Sequence, residues 1–148
     1  MMDLRELYQE VIIDHSKHPR NHHKMPAPTY QANGYNPLCG DKLTVYVHIE
    51  QGCLQDISFV GCGCAISQAS ASLMTDAVKG LTIEAAHVLF AQFHQMLTHD
   101  QAVSEPSMDK LTVLAGVRAF PARVKCATLA WHTLEAALRH DPKIVVTE

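Results

Sequence analysis

Three cysteines lie where one regular element of the chain gives way to another. Cys39 lies in the turn Asn36–Asp41, which leads directly into the first clear strand, and Cys64 lies where the second strand gives way to a helix. Cys126 lies in the first turns of the last predicted helix. Such positions hold a side chain in place while leaving it reachable. The three thiols are therefore the candidate groups for metal binding or for nucleophilic chemistry.

The local charge at these thiols favours their reactive form. Cys64 and Cys126 lie near helix N-termini, where the macrodipole amounts to roughly half a positive charge. Arg123 and Lys125 add positive charge close to Cys126. Because positive charge favours thiolate over thiol, we expect these sulfurs to be available both as nucleophiles and as metal ligands.

Asp41 adds a carboxylate to this group of thiols. Gly40 lets the chain turn so that Cys39 and Asp41 face the same point. Three sulfurs and one carboxylate are a donor set that tetrahedral zinc commonly takes. The chain has no CxxC pair, however, and the candidate ligands lie far apart along it. Residue chemistry alone therefore supports a metal site and small buried core cysteines equally.

The other two cysteines are predicted to lie outside this set. Cys53 follows a Gln-Gly turn and has no partner group nearby in the sequence, so we predict a structural role. Cys62 lies between Gly61 and Gly63, and it faces the same way as Cys64 if the second strand extends that far. We expect Cys62 to be a bystander rather than a ligand.

Composition narrows the class of protein. The chain has 148 residues, which fits one domain over residues 1–148, and 47% of them are apolar. Its net charge of −3 argues against a nucleic-acid partner, and no stretch approaches the ~20 apolar residues that a membrane span needs. The N-terminal segment is acidic and amphipathic, unlike a signal peptide, which predicts a cytoplasmic protein with no membrane partner. Five cysteines in such a protein predict metal ligands, reactive groups or buried residues rather than disulfides.

Histidine is abundant, with ten in the chain. Most fall in polar or loop-like contexts, such as His15 near the end of the first helix and His99. They show no repeated metal-ligand spacing, so we predict titratable surface groups.

Hydrophobic periodicity predicts the elements that must position the site. Residues 42–50 alternate apolar and polar side chains, and with residues 54–60 they predict an antiparallel hairpin. A further short strand near 30–32 has a weak signal. Helical patterns cover residues 3–17, 64–79, 83–97, 108–117 and the segment after Pro121. The predicted fold is α+β, a small antiparallel sheet of about three strands with helices packed on one face and a helical C-terminal half.

The motifs together resemble those of a known family. The matching segments are Leu4–Arg20, Asn36–Asp41, Gly61–Ser67 with the Ala/Ser-rich run after it, and Pro121–Trp131. Over nearly its whole length the chain is similar to the Fe–S cluster assembly proteins of the IscU/SufU (NifU N-terminal-like) family. It resembles the SufU type in particular, because Lys125 stands where IscU-type proteins have a histidine. The stretch from Cys64 to Cys126 is also longer than in IscU-type proteins.

This resemblance implies a function and a set of site residues. It implies a zinc site made by Cys39, Asp41, Cys64 and Cys126. It also implies a zinc-dependent sulfurtransferase in which Cys39 accepts persulfide sulfur from a SufS-type cysteine desulfurase and passes it to downstream Fe–S assembly proteins. In the second matching segment, Gly61–Ser67, the chain departs from the usual family motif by having Cys62 between Gly61 and Gly63.

Two alternatives stay open from the sequence. One is a scaffold that assembles a [2Fe–2S] cluster on Cys39, Cys64 and Cys126, because thiolates suit iron–sulfur clusters as well as zinc. The other is a non-catalytic binding module that zinc stabilises. Lys125 removes one plausible cluster ligand and favours zinc over the cluster.

Overall fold

The computed structural model describes residues 4–99, 106–140 and 144–146. Its four α-helices are α1 (Leu4–Lys17), α2 (Ala65–Val78), α3 (Ile83–Thr98) and α4 (Pro121–Leu138). Its strands are β1 (Tyr30–Asn36), β2 (Asp41–Glu50), β3 (Cys53–Cys62) and β4 (Val145–Val146). A 3₁₀ helix, Pro106–Ala119, precedes α4. The predicted α+β class is confirmed.

The sheet has the strand order β3-β2-β1-β4. Strand β2 is antiparallel to both β1 and β3, so the predicted hairpin is present and the weak strand signal near residue 30 marks a full strand. The register pairs Asn36 with Asp41, which leaves Pro37–Gly40 as the turn between β1 and β2. That turn carries Cys39 to the end of the sheet.

The fourth strand was not predicted. Two residues of β4 pair in parallel with β1, with Gly34 opposite Val145, so the sheet is mixed rather than purely antiparallel. A parallel pairing over such a distance along the chain leaves no local signal, because neither a turn nor an alternating run connects the two strands.

The core lies between the sheet and the helices. Leu43, Val45 and Val47 of β2 are buried on the face predicted from their alternation. Helix α2 packs against β3, α4 packs against β1 and β2, and the two helices contact each other. Trp131 is fully buried and stacks on Phe93 with ring centroids 4.5 Å apart. These contacts hold α4 between the sheet and α3.

A serine lies at the contact between α2 and α4. Ser70 is fully buried, and its hydroxyl donates to the carbonyl of Ala127 at 2.5 Å. The same hydroxyl accepts from Nε1 of Trp131 at 3.2 Å. A small polar side chain therefore satisfies two buried polar groups while it lets the helices approach closely.

The ends of the helices follow local signals. Thr82 caps α3, with its hydroxyl accepting from the Ala85 amide at 3.0 Å, as its position in the sequence predicts. Gly80, with φ of +88°, follows the end of α2. Residues 108–117 form part of the 3₁₀ helix rather than the expected α-helix.

The prediction that His15 is exposed was wrong. His15 is only 3% exposed, because α1 packs against α2. Its Nδ1 lies 2.7 Å from the Ser72 hydroxyl, which also accepts from the Arg20 amide at 2.8 Å. The polar neighbours of His15 in the sequence concealed this long-range partner.

Within the described part of the chain, no helix has the length and apolar character that crossing a bilayer requires.

Candidate metal centre

The β1–β2 turn positions the first two site residues. Asn36 and Asp41 close the hairpin and are both fully buried. Cys39, between them, is exposed. The amide of Leu38 donates to Oδ1 of Asn36 at 3.3 Å, and Gly40 takes a φ of +71° that a side chain would disfavour. The turn therefore holds a reachable thiol directly beside a buried carboxylate.

Helix α4 brings the third residue to this point. Pro121 occupies the start of the helix, where its missing N–H costs nothing. Cys126 lies one turn further on and is fully buried. Its sulfur is 3.1 Å from the sulfur of Cys39 and 3.6 Å from the carbonyl oxygen of Ala122. Two thiols from distant parts of the chain thus meet at the end of the sheet.

Cys64 reaches the site through its backbone and its role as a helix cap. It is the N-cap of α2, and its sulfur accepts from the Ser67 amide at 3.4 Å. Its own amide donates to Oδ1 of Asp41 at 2.8 Å, and its sulfur lies 3.9 Å from Oδ2 of the same carboxylate. A Cβ atom at Gly63 would collide with Asp41, so the close approach of this segment depends on a glycine.

Three of the four predicted ligands form a close set, and the fourth adjoins it. The sulfurs of Cys39 and Cys126 and a carboxylate oxygen of Asp41 all lie within 4.8 Å of one another. Cys64 is not a member of this mutually close set and adjoins it through Asp41. Cys62 is exposed at the end of β3, opposite Lys42, and Cys53 is half-buried at the other end of that strand.

The expected preference for thiolate was wrong for Cys126. Burial raises the pKa of the Cys126 thiol, and its hydrogen bond with Cys39 and the nearby Cys64 and Asp41 raise it further. These effects outweigh the helix N-terminus. The negative charge of Cys64, followed by a side-chain hydrogen bond with Cys126, raises the pKa of the Arg123 guanidinium, which therefore lies close to the sulfurs.

This electrostatic arrangement fits a bound cation. Cys126 is a buried thiol with a raised pKa, and it lies beside the buried carboxylate of Asp41. Ionisation of this thiol would therefore add negative charge to a buried site that already contains a carboxylate. A divalent ion would supply the compensating charge and convert the thiol to thiolate. Thiolate and carboxylate donors suit zinc, and thiolates also suit iron–sulfur clusters.

Asn36 is a site residue that the sequence did not single out. Its Nδ2 donates to Oδ2 of Asp41 at 3.1 Å and to the sulfur of Cys126 at 3.4 Å. One amide group thus orients two candidate ligands, as residues around metal ligands commonly do. The signal that could have identified it is the turn length, since a hairpin closing over Pro37–Gly40 places residue 36 opposite Asp41.

Sequence comparison groups the chain with proteins of iron–sulfur cluster assembly. Residues 7–145 match the family described as NifU-like N terminal domain. The chain is 40% identical over 139 residues to the iron-sulfur cluster assembly scaffold protein IscU of Streptococcus pyogenes serotype M1, covering 93% of this chain and 86% of the relative. It is 39% identical over 139 residues to the zinc-dependent sulfurtransferase SufU of Bacillus subtilis strain 168, covering 94% of each.

Structure comparison agrees with this grouping. A crystal structure of a proposed iron–sulfur cluster assembly scaffold protein for the SUF system from Fervidobacterium islandicum AW-1 superposes with a TM-score of 0.83. The two chains are 33% identical, and the match covers 92% of this chain and 99% of the other.

Proposed function

The chain belongs to the NifU-like N-terminal domain family of Fe–S cluster assembly proteins, and we propose that it is a zinc-dependent sulfurtransferase within that family. In this proposal Cys39 accepts persulfide sulfur from a SufS-type cysteine desulfurase and passes it to downstream Fe–S assembly proteins. The observation that carries the proposal is the exposed Cys39 in a turn, with its sulfur 3.1 Å from that of the buried Cys126.

The proposed zinc ligands are Cys39, Asp41, Cys64 and Cys126. When bound, zinc would keep the thiols deprotonated and moderate the nucleophilicity of Cys39. Asn36 orients Asp41 and Cys126 for this purpose. Cys64 and Cys126 are anchored in a helix cap and a buried helix turn, whereas Cys39 lies in a four-residue turn. Cys39 is therefore the ligand best placed to act as a nucleophile.

The sulfur transfer balances without an oxidant or reductant. The Cys39 thiolate attacks the terminal sulfur of the donor persulfide, and the donor S–S bond breaks as the new one forms. The donor cysteine leaves as a thiolate and takes up a proton, while Cys39 becomes the persulfide. Arg123, whose guanidinium is close to the sulfurs, supplies positive charge beside the anionic product.

The surface around Cys39 suits a protein donor. Leu38, directly before Cys39, is 62% exposed, and Phe120 at the start of α4 is also 62% exposed. Two large apolar side chains on the elements that carry Cys39 and Cys126 offer contacts that a partner would bury. A desulfurase that reached Cys39 would meet them together with Arg123.

A [2Fe–2S] scaffold is the second candidate function. Its support is the set of three thiols and the relative from Streptococcus pyogenes, which is named a scaffold at 40% identity. Lys125, beside Cys126, stands where IscU-type proteins have a histidine, so the imidazole that could ligate iron is absent at this position. This residue favours zinc.

Elemental analysis and a desulfurase assay together test the proposal. Protein purified without oxygen should hold one zinc per chain and no visible absorption, and Cys39→Ser should fold yet fail to stimulate a SufS-type desulfurase. Cys62→Ser is the matched control, because it removes another exposed thiol near the site, and it should stimulate fully. Brown protein containing iron and sulfide would support the scaffold. Full stimulation by Cys39→Ser would contradict the sulfurtransferase.

A further inference from the structure

A pair of histidines faces the groove between α3 and α4, separate from the cysteine centre. His94 of α3 and His132 of α4 have ring centroids 6.2 Å apart, and the ring of Phe90 lies 5.1 Å from that of His132. We propose that His94 and His132 form a second metal site, which takes a divalent cation of the imidazole-binding class such as Zn²⁺, Ni²⁺ or Co²⁺.

The distance between the two imidazole rings is close to the distance expected when both bind one metal ion. Two imidazoles on one tetrahedral zinc, with Zn–N distances of about 2.0–2.1 Å, have centroids roughly 5 Å apart. The observed 6.2 Å therefore requires an approach of about 1 Å, and His94 is exposed and can rotate. His132 is half-buried on α4, so its imidazole is already positioned to act as the first ligand.

The protonation state of His132 favours a metal over an anion. Burial lowers the pKa of His132 below its ordinary value. A neutral imidazole has the free lone pair that metal ligation requires, whereas an anion would need the charged form.

A buried carboxylate lies one turn further along α4. Glu135 is 8% exposed, and its Oε1 accepts from Nδ1 of His87 at 2.6 Å. Its Oε2 lies 3.5 Å from Arg139, a longer contact with a side chain that is mostly exposed. The carboxylate lines the groove, and its position three residues after His132 places both on the same face of α4.

The groove has room for an ion with its water ligands. Two adjoining cavities, of about 510 and 480 Å³, share His94, His132 and Glu135 among their lining residues. Water fills the position that the protein leaves open in catalytic zinc sites, and waters would fill the remaining positions around an ion held by His94 and His132.

Metal titration of the zinc-loaded protein tests this site independently of sulfur transfer. With the cysteine centre filled, Zn²⁺ titrated by calorimetry should show one further site. His94→Gln or His132→Gln should weaken that site more than about tenfold, because even the partners of metal ligands cost this much when removed. His48→Gln is the matched control, since His48 is also a histidine next to a glutamate, at 3.0 Å from Glu50, but on the sheet.

Ni²⁺ and NMR give a second readout. Paramagnetic broadening by substoichiometric Ni²⁺ should appear first at the ring signals of His94 and His132. Broadening spread evenly over the histidines, or further zinc uptake that both glutamine variants leave unchanged, would contradict the site. If His132→Gln unfolds, the exposed His94→Gln alone decides the outcome. Failure of this site leaves the proposed function at Cys39 untouched.

Discussion

The sulfur of Cys39 lies 3.1 Å from the sulfur of Cys126, although the two residues are 87 positions apart in the chain. One thiol belongs to an exposed hairpin turn and the other to the buried face of a helix. The register of β1 with β2 and the packing of α4 on the sheet produce this meeting. A reachable thiol is thereby held beside an anchored, buried one.

Asp41→Asn should weaken metal retention. The substitution keeps the volume of a fully buried side chain but removes its negative charge and one donor for the ion. We expect zinc affinity to fall by at least about 10-fold, measured by competition with a chromophoric chelator. Asp56→Asn is the control, because Asp56 is a carboxylate on β3 that pairs with Lys79 at 3.4 Å. Equal zinc affinity in both variants would show that Asp41 is not a ligand.

Asn36→Ala should lower both stability and metal affinity. It removes the amide that donates to Asp41 and Cys126 and leaves those buried groups without that partner. The free energy of unfolding of the metal-free protein should fall by about 1–3 kcal/mol, measured with urea. Asn33→Ala provides the comparison, because Asn33 lies on the same strand and is exposed, with its Oδ1 accepting from Thr44. The role of Asn36 is refuted if both variants lose the same stability and bind zinc equally.

Gly63→Ala should disturb the site by steric overlap. The added Cβ would meet Oδ1 of Asp41 and lie 3.0 Å from its Cα and Cβ. We expect a loss of about 1–3 kcal/mol in the free energy of unfolding, with reduced zinc content. Gly116→Ala is the control, since a Cβ there has nothing within 4 Å. Normal zinc content and stability in Gly63→Ala would mean that the segment before α2 can shift away from Asp41.

His15 should make stability depend on pH. Burial and the charge of Arg20 lower the pKa of His15 below its ordinary value of 6.5. The unfolded chain therefore binds the proton more readily, and the stability that neutral His15 provides is full above pH 6.5 and lost as pH falls from 6.5 through the folded-state pKa. Protonation would also leave Nδ1 of His15 unable to accept a hydrogen bond from the Ser72 hydroxyl, which lies 2.7 Å away.

The measurement is the free energy of unfolding at several pH values for wild type and His15→Gln. The difference between the two proteins should be largest above pH 6.5 and shrink as the pH falls below it. His18→Gln controls for histidine loss, because His18 follows the same helix and is exposed. A constant difference between wild type and His15→Gln across this range would exclude His15 as the cause.

Local patterns predicted much of the fold. The alternation in residues 42–50 is a local pattern, and Leu43, Val45 and Val47 are buried on one face as it predicts. The Thr82 cap and the glycine after α2 at Gly80 are likewise local features of the sequence. The pairing of β4 with β1 and the burial of His15 against Ser72 depend on partners far away in the chain. No local periodicity encodes such partners, so these features required the structure.

The residues of the candidate site could be singled out from the sequence, but their electrostatics could not. Charge near Cys126 in the sequence suggested thiolate, yet burial and neighbouring thiols reverse that preference. Burial depends on how α4 packs, and the sequence of α4 alone does not determine its neighbours. Asn36 was missed for the same reason, because its two partners become visible only once the hairpin turn is known.

Mass spectrometry of the protein after reaction with a desulfurase tests the central claim most directly. The zinc-loaded chain is incubated with a SufS-type cysteine desulfurase and cysteine, alkylated, digested and compared with Cys39→Ser and Cys62→Ser. The account predicts one extra sulfur on the peptide that contains Cys39, its presence in Cys62→Ser and its absence in Cys39→Ser. Extra sulfur on Cys62 or another thiol, with Cys39 unmodified, would contradict it.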